Sequence, residues 1–163
     1  MPRNVAGRCE ANNINGQRCK RRTAKGPLCY AHLASTKQLK IKKSGIPRTG
    51  FGLFTLKDIR KNQVIAPYGG IKITTARPYS GPYVLEIANN KYLDADPKKS
   101  NDSIGGYCNN CRARNKRAHQ CPGNNTKFSP NQNRTSANLK ASKNIKAGSE
   151  LFASYGRKYG NQF

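Results

Sequence analysis

The sequence of 163 residues contains no tryptophan, one methionine and seven acidic residues, and apolar residues make up only 35% of it. Such a small apolar fraction excludes a large core and predicts abundant loops. No stretch approaches the ~20 apolar residues of a membrane span, and the first residues, Met1 to Asn4, lack the apolar segment of a secretory signal. We therefore expect a nuclear or cytoplasmic protein that is not secreted and has no membrane partner.

Positive charge, by contrast, is abundant. Lysine and arginine number 31 against seven acids, which gives a formal net charge of +24. A charge of this size exceeds what solubility requires and concentrates anionic partners around the protein. Nucleic acid, a nucleosome and an acidic protein all fit this description, and charge alone does not choose among them.

Four of the potential metal ligands lie near the amino terminus, in the spacing C-x9-C-x9-C-x2-H. They are Cys9, Cys19, Cys29 and His32. Three thiolates and an imidazole suit a structural Zn²⁺ ion, and a chain without a secretory signal favours metal binding over disulfides. The alternative is three free cysteines and a surface histidine. We predict a zinc-bound appendage over residues 1–38, whose basic surroundings are either a solvated face or a docking surface for DNA, RNA or an acidic chain.

Local patterns predict a few elements of the remaining chain. Residues 30–40 have the composition of a short helix, and a turn at Lys61-Asn62 precedes a β-branched strand. Residues 81–96 alternate as a hairpin does, with its turn at Asn89-Asn90. Small strands and turns thus predict a mainly β domain over residues 39–163.

Four short motifs follow one another in this domain. They are T-G-F-G-L-F at 49–54, Y-G-G at 68–70, G-Y-C-N-N at 106–110 and E-L-F-A-S-Y-G at 150–156. Their order and spacing resemble the SET-domain protein lysine methyltransferases, whose pattern runs G-x-G, Y-x-G, R-F-I-N-H-S, E-L-x-x-x-Y-G. The compact size is similar to that of the minimal SET proteins of large DNA viruses. The resemblance implies a SET fold of small sheets with a pseudoknot-like crossing near the carboxyl terminus.

The resemblance also implies an activity, which is transfer of a methyl group from S-adenosylmethionine to a lysine ε-amine. The implied substrate is a histone or another lysine-containing protein, with a nucleosome or nucleic acid held by the basic surface. Tyr155 would orient the amine with help from Tyr68, and Ala153 would leave room for di- or trimethyl products. The implied cofactor contacts are Gly50, Phe51, Gly52, Tyr107, Asn109 and Asn110.

The third motif departs from the family pattern. Asn109 is retained, whereas Asn110 stands in place of the histidine. The cysteines of this region, with one histidine, also form a conceivable second zinc set: Cys108, Cys111, His119 and Cys121. The other interpretation makes Cys108 a small buried core residue, because the family buries an apolar side chain at that position.

Two functions without catalysis compete with the methyltransferase. A catalytically silent SET-like module would tether to nucleic acid or chromatin, and the altered third motif favours it. A basic structural protein would act through charge alone, but charge does not explain four ordered motifs. Cofactor binding separates the enzyme from both.

Overall fold

The computed structural model describes residues 7–23, 27–75, 81, 83–96, 104–111 and 121–154. It is mainly β, as the sequence predicts. Within these ranges, one α-helix, α1 (Tyr30–Lys37), and one 3-10 helix (Ile104–Tyr107) accompany nine strands. The strands are β1 (Leu39–Lys43), β2 (Phe51–Thr55), β3 (Val64–Tyr68), β4 (Ile71–Thr74), β5 (Val84–Ala88), β6 (Lys91–Asp94), β7 (Thr126–Pro130), β8 (Ala137–Ala141) and β9 (Glu150–Leu151). No helix in these ranges is long and apolar enough to cross a membrane.

The strands form three small antiparallel sheets of three strands each. Their orders are β1-β2-β9, β3-β8-β7 and β4-β6-β5. The first sheet joins the two ends of the domain, because β9 pairs with β2 through Leu53 and Leu151. The G-x-G and E-L-F-A-S-Y-G motifs are therefore neighbours in space, although about a hundred residues of chain separate them.

The locally predicted turns and elements are confirmed. Asn62 and Asn90 both have a left-handed backbone, with φ of 68° and 59°, which asparagine tolerates better than most residues. The hairpin β5–β6 lies where the alternation predicts it. The helix is shorter than predicted because Gln38, at φ 55°, ends it, and the chain enters β1 at Leu39.

The main core lies between α1, the first two sheets and the 3-10 helix. It buries Leu33, Leu53, Leu139 and Leu151 almost completely. A second core forms between the third sheet and the second, around Tyr68, Leu93 and Ala137, with Phe128 packed against both cores. These cores position the segments that build the candidate site.

Candidate functional site

The last described segment, residues 150–153, runs between two other parts of the chain. Asn109 forms a parallel bridge to Phe152 on one side, and Thr126 forms a parallel bridge to Ala153 on the other. The Ala153 N–H donates to the carbonyl of Asn109 at 2.9 Å. We call this arrangement the crossing, and it is the pseudoknot-like feature that the sequence predicts.

Side chains lock the crossing from the side of β7. Asn125 receives a hydrogen bond from the Phe152 N–H and donates one to the Glu150 carbonyl, both at 2.8 Å. The Thr126 hydroxyl donates to the Phe152 carbonyl at 2.8 Å. Buried backbone polar groups are thereby satisfied outside a regular sheet. The neighbouring Asn124 has another role, because its Oδ1 accepts from the N–H of Cys111.

The amide of Asn109 has a defined orientation. Its Nδ2 donates to the carbonyl of Phe51 at 3.0 Å and to Oε1 of Glu150 at 3.3 Å. A primary amide nitrogen carries two hydrogens, so both are used within the protein. The group that Asn109 can offer to a ligand is its Oδ1, a hydrogen-bond acceptor.

Glu150 is the partner that sequence reasoning missed. Its side chain is buried, and it accepts from the Ser44 hydroxyl at 2.6 Å and from the Gly45 N–H at 2.8 Å in addition to Asn109. A buried carboxylate is stable only when it has such donors. The signal was present in the sequence, because Glu150 is one of only seven acids and opens the last motif.

The two glycines of G-F-G serve different purposes. Gly50 has φ +79°, a conformation that favours glycine, and it ends the turn before β2. Gly52 packs against the Glu150 carboxylate, so an added Cβ would lie 2.8 Å from Cδ of Glu150. Between them, Phe51 is 47% exposed beside Asn109. Of the three residues, Gly50 and Phe51 are exposed next to the crossing, whereas Gly52 is buried.

A group of aromatic side chains lies at the second core. The Tyr68 hydroxyl donates to the carbonyl of Tyr83 at 2.7 Å, and the rings of Tyr68 and Phe128 are 4.6 Å apart. Burial, and secondarily the charges of Tyr83 and Asp96, raises the pKa of Tyr107 to about 12. Burial likewise raises the pKa of Tyr83. Both phenols are therefore neutral at physiological pH and keep their hydroxyl protons for donation.

The predicted site residues are only partly brought together. Phe51, Gly52 and Asn109 meet at the crossing, Gly50 lies at the turn before them, and Asn110 accepts a hydrogen bond from Asn124. Tyr107 and Tyr68 belong instead to the aromatic group around Tyr83. Tyr155 lies outside the described residues, as does His119, and the described chain ends one residue before Tyr155 at the exposed Ser154.

Of the two interpretations of the cysteines near residue 110, the structure does not support the second zinc set, and one pair departs from the expectation that metal is favoured over disulfides. Cys111 and Cys121 are joined to each other, with their Cα atoms 5.5 Å apart. Cys108 is fully buried and donates to the Leu151 carbonyl at 3.2 Å. Burial raises the pKa of its thiol to about 12, so Cys108 is a neutral thiol within the core. The interpretation of Cys108 as a core residue is confirmed.

The amino-terminal ligand set does come together. The ligand atoms of Cys9, Cys19, Cys29 and His32 all lie within 4.8 Å of one another. Nδ1 of His32 is 3.4 Å from the sulfurs of both Cys9 and Cys29. Tetrahedral zinc with its usual bond lengths places sulfur and nitrogen ligands about 3.5 Å apart. The cluster can therefore hold a zinc ion.

Electrostatics around this cluster favour a bound cation. Burial opposes ionisation of Cys29, but hydrogen bonds from the His32 backbone and from Cys9 outweigh it and lower its pKa to about 7. Burial raises the pKa of Cys9. Within the ligand set, one thiol thus ionises readily while another needs the metal to do so.

Comparison with protein families agrees with this geometry. A family model described as SET domain matches residues 50–156, about two thirds of the chain. No curated protein matches the chain at a significant level. The match begins at Gly50 and ends just beyond the crossing, so it covers all four motifs of the domain except Thr49.

Proposed function

The chain belongs to the SET-domain family, and from that premise we propose that it is a protein-lysine N-methyltransferase that uses S-adenosylmethionine. The single observation that carries this proposal is the crossing. It joins the G-x-G edge, Asn109 and the segment that leads to Tyr155 in one place.

The residues at the crossing fit the cofactor by chemistry. Gly50 and Phe51 are exposed beside Asn109, and Asn109 presents Oδ1 as an acceptor for a donor such as an ammonium group. Both hydrogens of its Nδ2 are already donated within the protein, so the Asn109 side chain favours a ligand group that donates over one that accepts. When bound, S-adenosylmethionine would supply an electrophilic methyl group for the lone pair of the lysine amine.

The protein contributes position and protonation state. An ammonium has no lone pair, so the substrate lysine must lose a proton before it reacts, and it must approach in line. Neutral phenols suit this task, because a hydroxyl can hold an uncharged amine without adding charge. We assign this task to Tyr155, with Tyr68, Tyr83 and Tyr107 as the aromatic surroundings of the lysine. No acid stands directly before Tyr155, so solvent accepts the proton.

The substrate class follows from charge. A chain with net charge +24 repels a free basic tail, but a nucleosome presents its lysines on a polyanionic particle. We therefore favour a histone within a nucleosome, which would place the protein in the nucleus. Structural zinc at the Cys3His cluster is the second implied cofactor.

Methyl transfer from tritiated S-adenosylmethionine to nucleosomes and to free core histones tests this function. We expect incorporation, greater on nucleosomes, and a loss of at least about tenfold for Tyr155→Phe. Mass spectrometry of the product tests whether Ala153 permits di- and trimethyl-lysine. Absence of incorporation on every lysine-containing substrate, with cofactor binding intact, would contradict the activity.

A silent SET-like module is the second candidate. Asn110 replaces the family's histidine, and the next residue, Cys111, forms a disulfide with Cys121. Both changes lie beside the cofactor edge. A module of this kind would bind chromatin but no S-adenosylhomocysteine, so calorimetry with that compound separates the two candidates.

A further inference from the structure

Residues 7–23 form a two-stranded antiparallel ribbon that carries two of the four zinc ligands. Arg8 pairs with Arg22 and Asn12 with Arg18. Backbone hydrogen bonds between the strands join Cys9 to Arg21, Ala11 to Cys19, Gly7 to Thr23 and Asn13 to Gln17. We call this element the knuckle ribbon.

The two faces of the knuckle ribbon differ in composition, because side chains alternate along each strand. One face turns Cys9, Cys19 and Thr23 inward, and all three are buried, although Arg21 on that face is exposed. The other face carries the intervening residues, all of them exposed: Arg8, Glu10, Asn12, Arg18, Lys20 and Arg22. Four cations and one acid therefore share a single outward face.

Two of these cations are held in place. Nε and Nη2 of Arg8 donate to the carbonyls of Cys19 and Arg18, and Nε and Nη2 of Arg18 donate to those of Cys9 and Arg8. Each guanidinium has further N–H donors beyond these two. The Arg8 and Arg18 side chains lose their rotamer freedom when the protein folds. An anion that contacts them therefore binds with little further loss of conformational entropy.

The charge pattern is unfavourable for the isolated ribbon. Arg8 and Arg22 are directly opposite each other, and like charges in that position destabilise a strand pair. An external polyanion would convert this repulsion into attraction. The tip of the ribbon also favours an external partner, because the apolar Ile14 is 102% exposed there. The Asn13 side chain closes this turn by accepting from the N–H groups of Asn15 and Gln17.

We propose that the outward face of the knuckle ribbon binds duplex DNA, with the ribbon in the major groove and Ile14 at its leading end. The major groove of B-DNA admits a two-stranded ribbon, whereas that of duplex RNA is too narrow for side chains to read. The cations contact phosphates along the groove walls, and the apolar tip meets base edges such as the thymine methyl group. DNA binding by this face goes beyond methyl transfer and does not depend on it.

Fluorescence anisotropy of the full zinc-loaded chain on a short DNA duplex, as a function of salt, tests this site. Each phosphate contact contributes about 0.9 to the slope of log affinity against log salt. We expect Lys20→Gln with Arg22→Gln to lower that slope by about 2. The matched control, Lys72→Gln with Lys91→Gln, removes the same charge from β4 and β6 and should leave the slope nearly unchanged.

The tip and the choice of nucleic acid give two further arms. Ile14→Asn should weaken DNA binding severalfold at every salt concentration without a change of slope, because no charge is removed. Zinc content, measured alongside, shows that each variant keeps its ribbon. Equal loss in the ribbon and control pairs would overturn the site and assign binding to overall charge. Equal or tighter binding to duplex RNA would contradict binding of the ribbon in the major groove of DNA.

Discussion

The knuckle ribbon and the crossing are stabilised by different physics within one chain. The ribbon buries little besides Cys9, Cys19 and Thr23, and its outward face is charged. The crossing buries Leu151, Phe152 and Ala153 almost completely and satisfies their backbone with side-chain hydrogen bonds. One region should therefore depend on metal and the other on packing, and each should fail separately.

Removal of zinc should separate the two regions most sharply. Structural zinc contributes about 10–16 kcal/mol in small metal-dependent folds, more than the ribbon can replace with apolar contacts. We expect chelation, or Cys29→Ser, to abolish hydrogen-exchange protection in residues 7–23 and to leave residues 137–153 protected.

Cys108→Ala is the matched control for that experiment. It removes a buried thiol from the core and not from the ligand set, so zinc content should be unchanged. Loss of protection across both regions on chelation would mean that the metal supports the whole chain, and the contrast between the regions would disappear.

Truncation at the crossing should give the opposite pattern. Leu151 is fully buried in the main core, and a Leu→Ala change at such a site costs about 2–5 kcal/mol. We expect Leu151→Ala to lower the midpoint of chemical denaturation for the SET domain while zinc stoichiometry stays the same. Exposed Leu56→Ala is the control and should have little effect.

Neutralising Glu150 should have a smaller effect on stability and a distinct effect on the site. Glu150→Gln keeps the shape but weakens charge-assisted bonds from Ser44, Gly45 and Asn109, at a cost of about 1–3 kcal/mol. The Asn109 amide then loses part of its orientation, so S-adenosylhomocysteine should bind more weakly at full folding. Unchanged affinity would mean that Glu150 is structural only.

The smallest expected effect concerns Asp58, an exposed residue between β2 and β3 that contacts the turn before β9. Hydrogen bonds from the Ala147 N–H and from Lys146 at 3.0 Å lower its pKa. The pKa of Asp58 in the folded protein lies below its value in the unfolded chain, which is about 3.9. The stabilisation is therefore complete above that value and is lost as pH falls through the folded pKa.

We expect Asp58→Asn to lower the melting temperature slightly at neutral pH and to match the wild type in strong acid. Lys143→Gln, a charge change at an exposed neighbour outside this ion pair, is the control. A deficit that persists in strong acid would assign the effect to packing instead of charge.

Local features of both regions could be predicted from the sequence. The C-x2-H pair lies on one turn at the start of α1, and the Asn62 and Asn90 turns depend on residues next to them. Their physics is contained in a few neighbouring residues, which a pattern records. The ordered motifs further predicted a crossing, because a known family supplies the long-range arrangement.

The unpredicted features are those in which distant segments meet. The orientation of the Asn109 amide depends on Phe51 and Glu150, which lie 58 and 41 residues away. The Cys111–Cys121 disulfide joins two of the three cysteines at positions 108, 111 and 121, and spacing alone does not select this pair. The outward face of the knuckle ribbon could be recognised only from the strand register, since charge count alone does not show which side chains share a face.

Calorimetry with S-adenosylhomocysteine tests the role of the crossing most directly. The zinc-loaded wild-type chain should bind one equivalent, and Asn109→Ala should bind at least about tenfold more weakly, which corresponds to about 1.4 kcal/mol for the lost Oδ1 contact. Hydrogen exchange of residues 137–153 would show that the variant is folded. No binding to the folded wild type, or equal binding to both proteins, would contradict a cofactor site at Asn109.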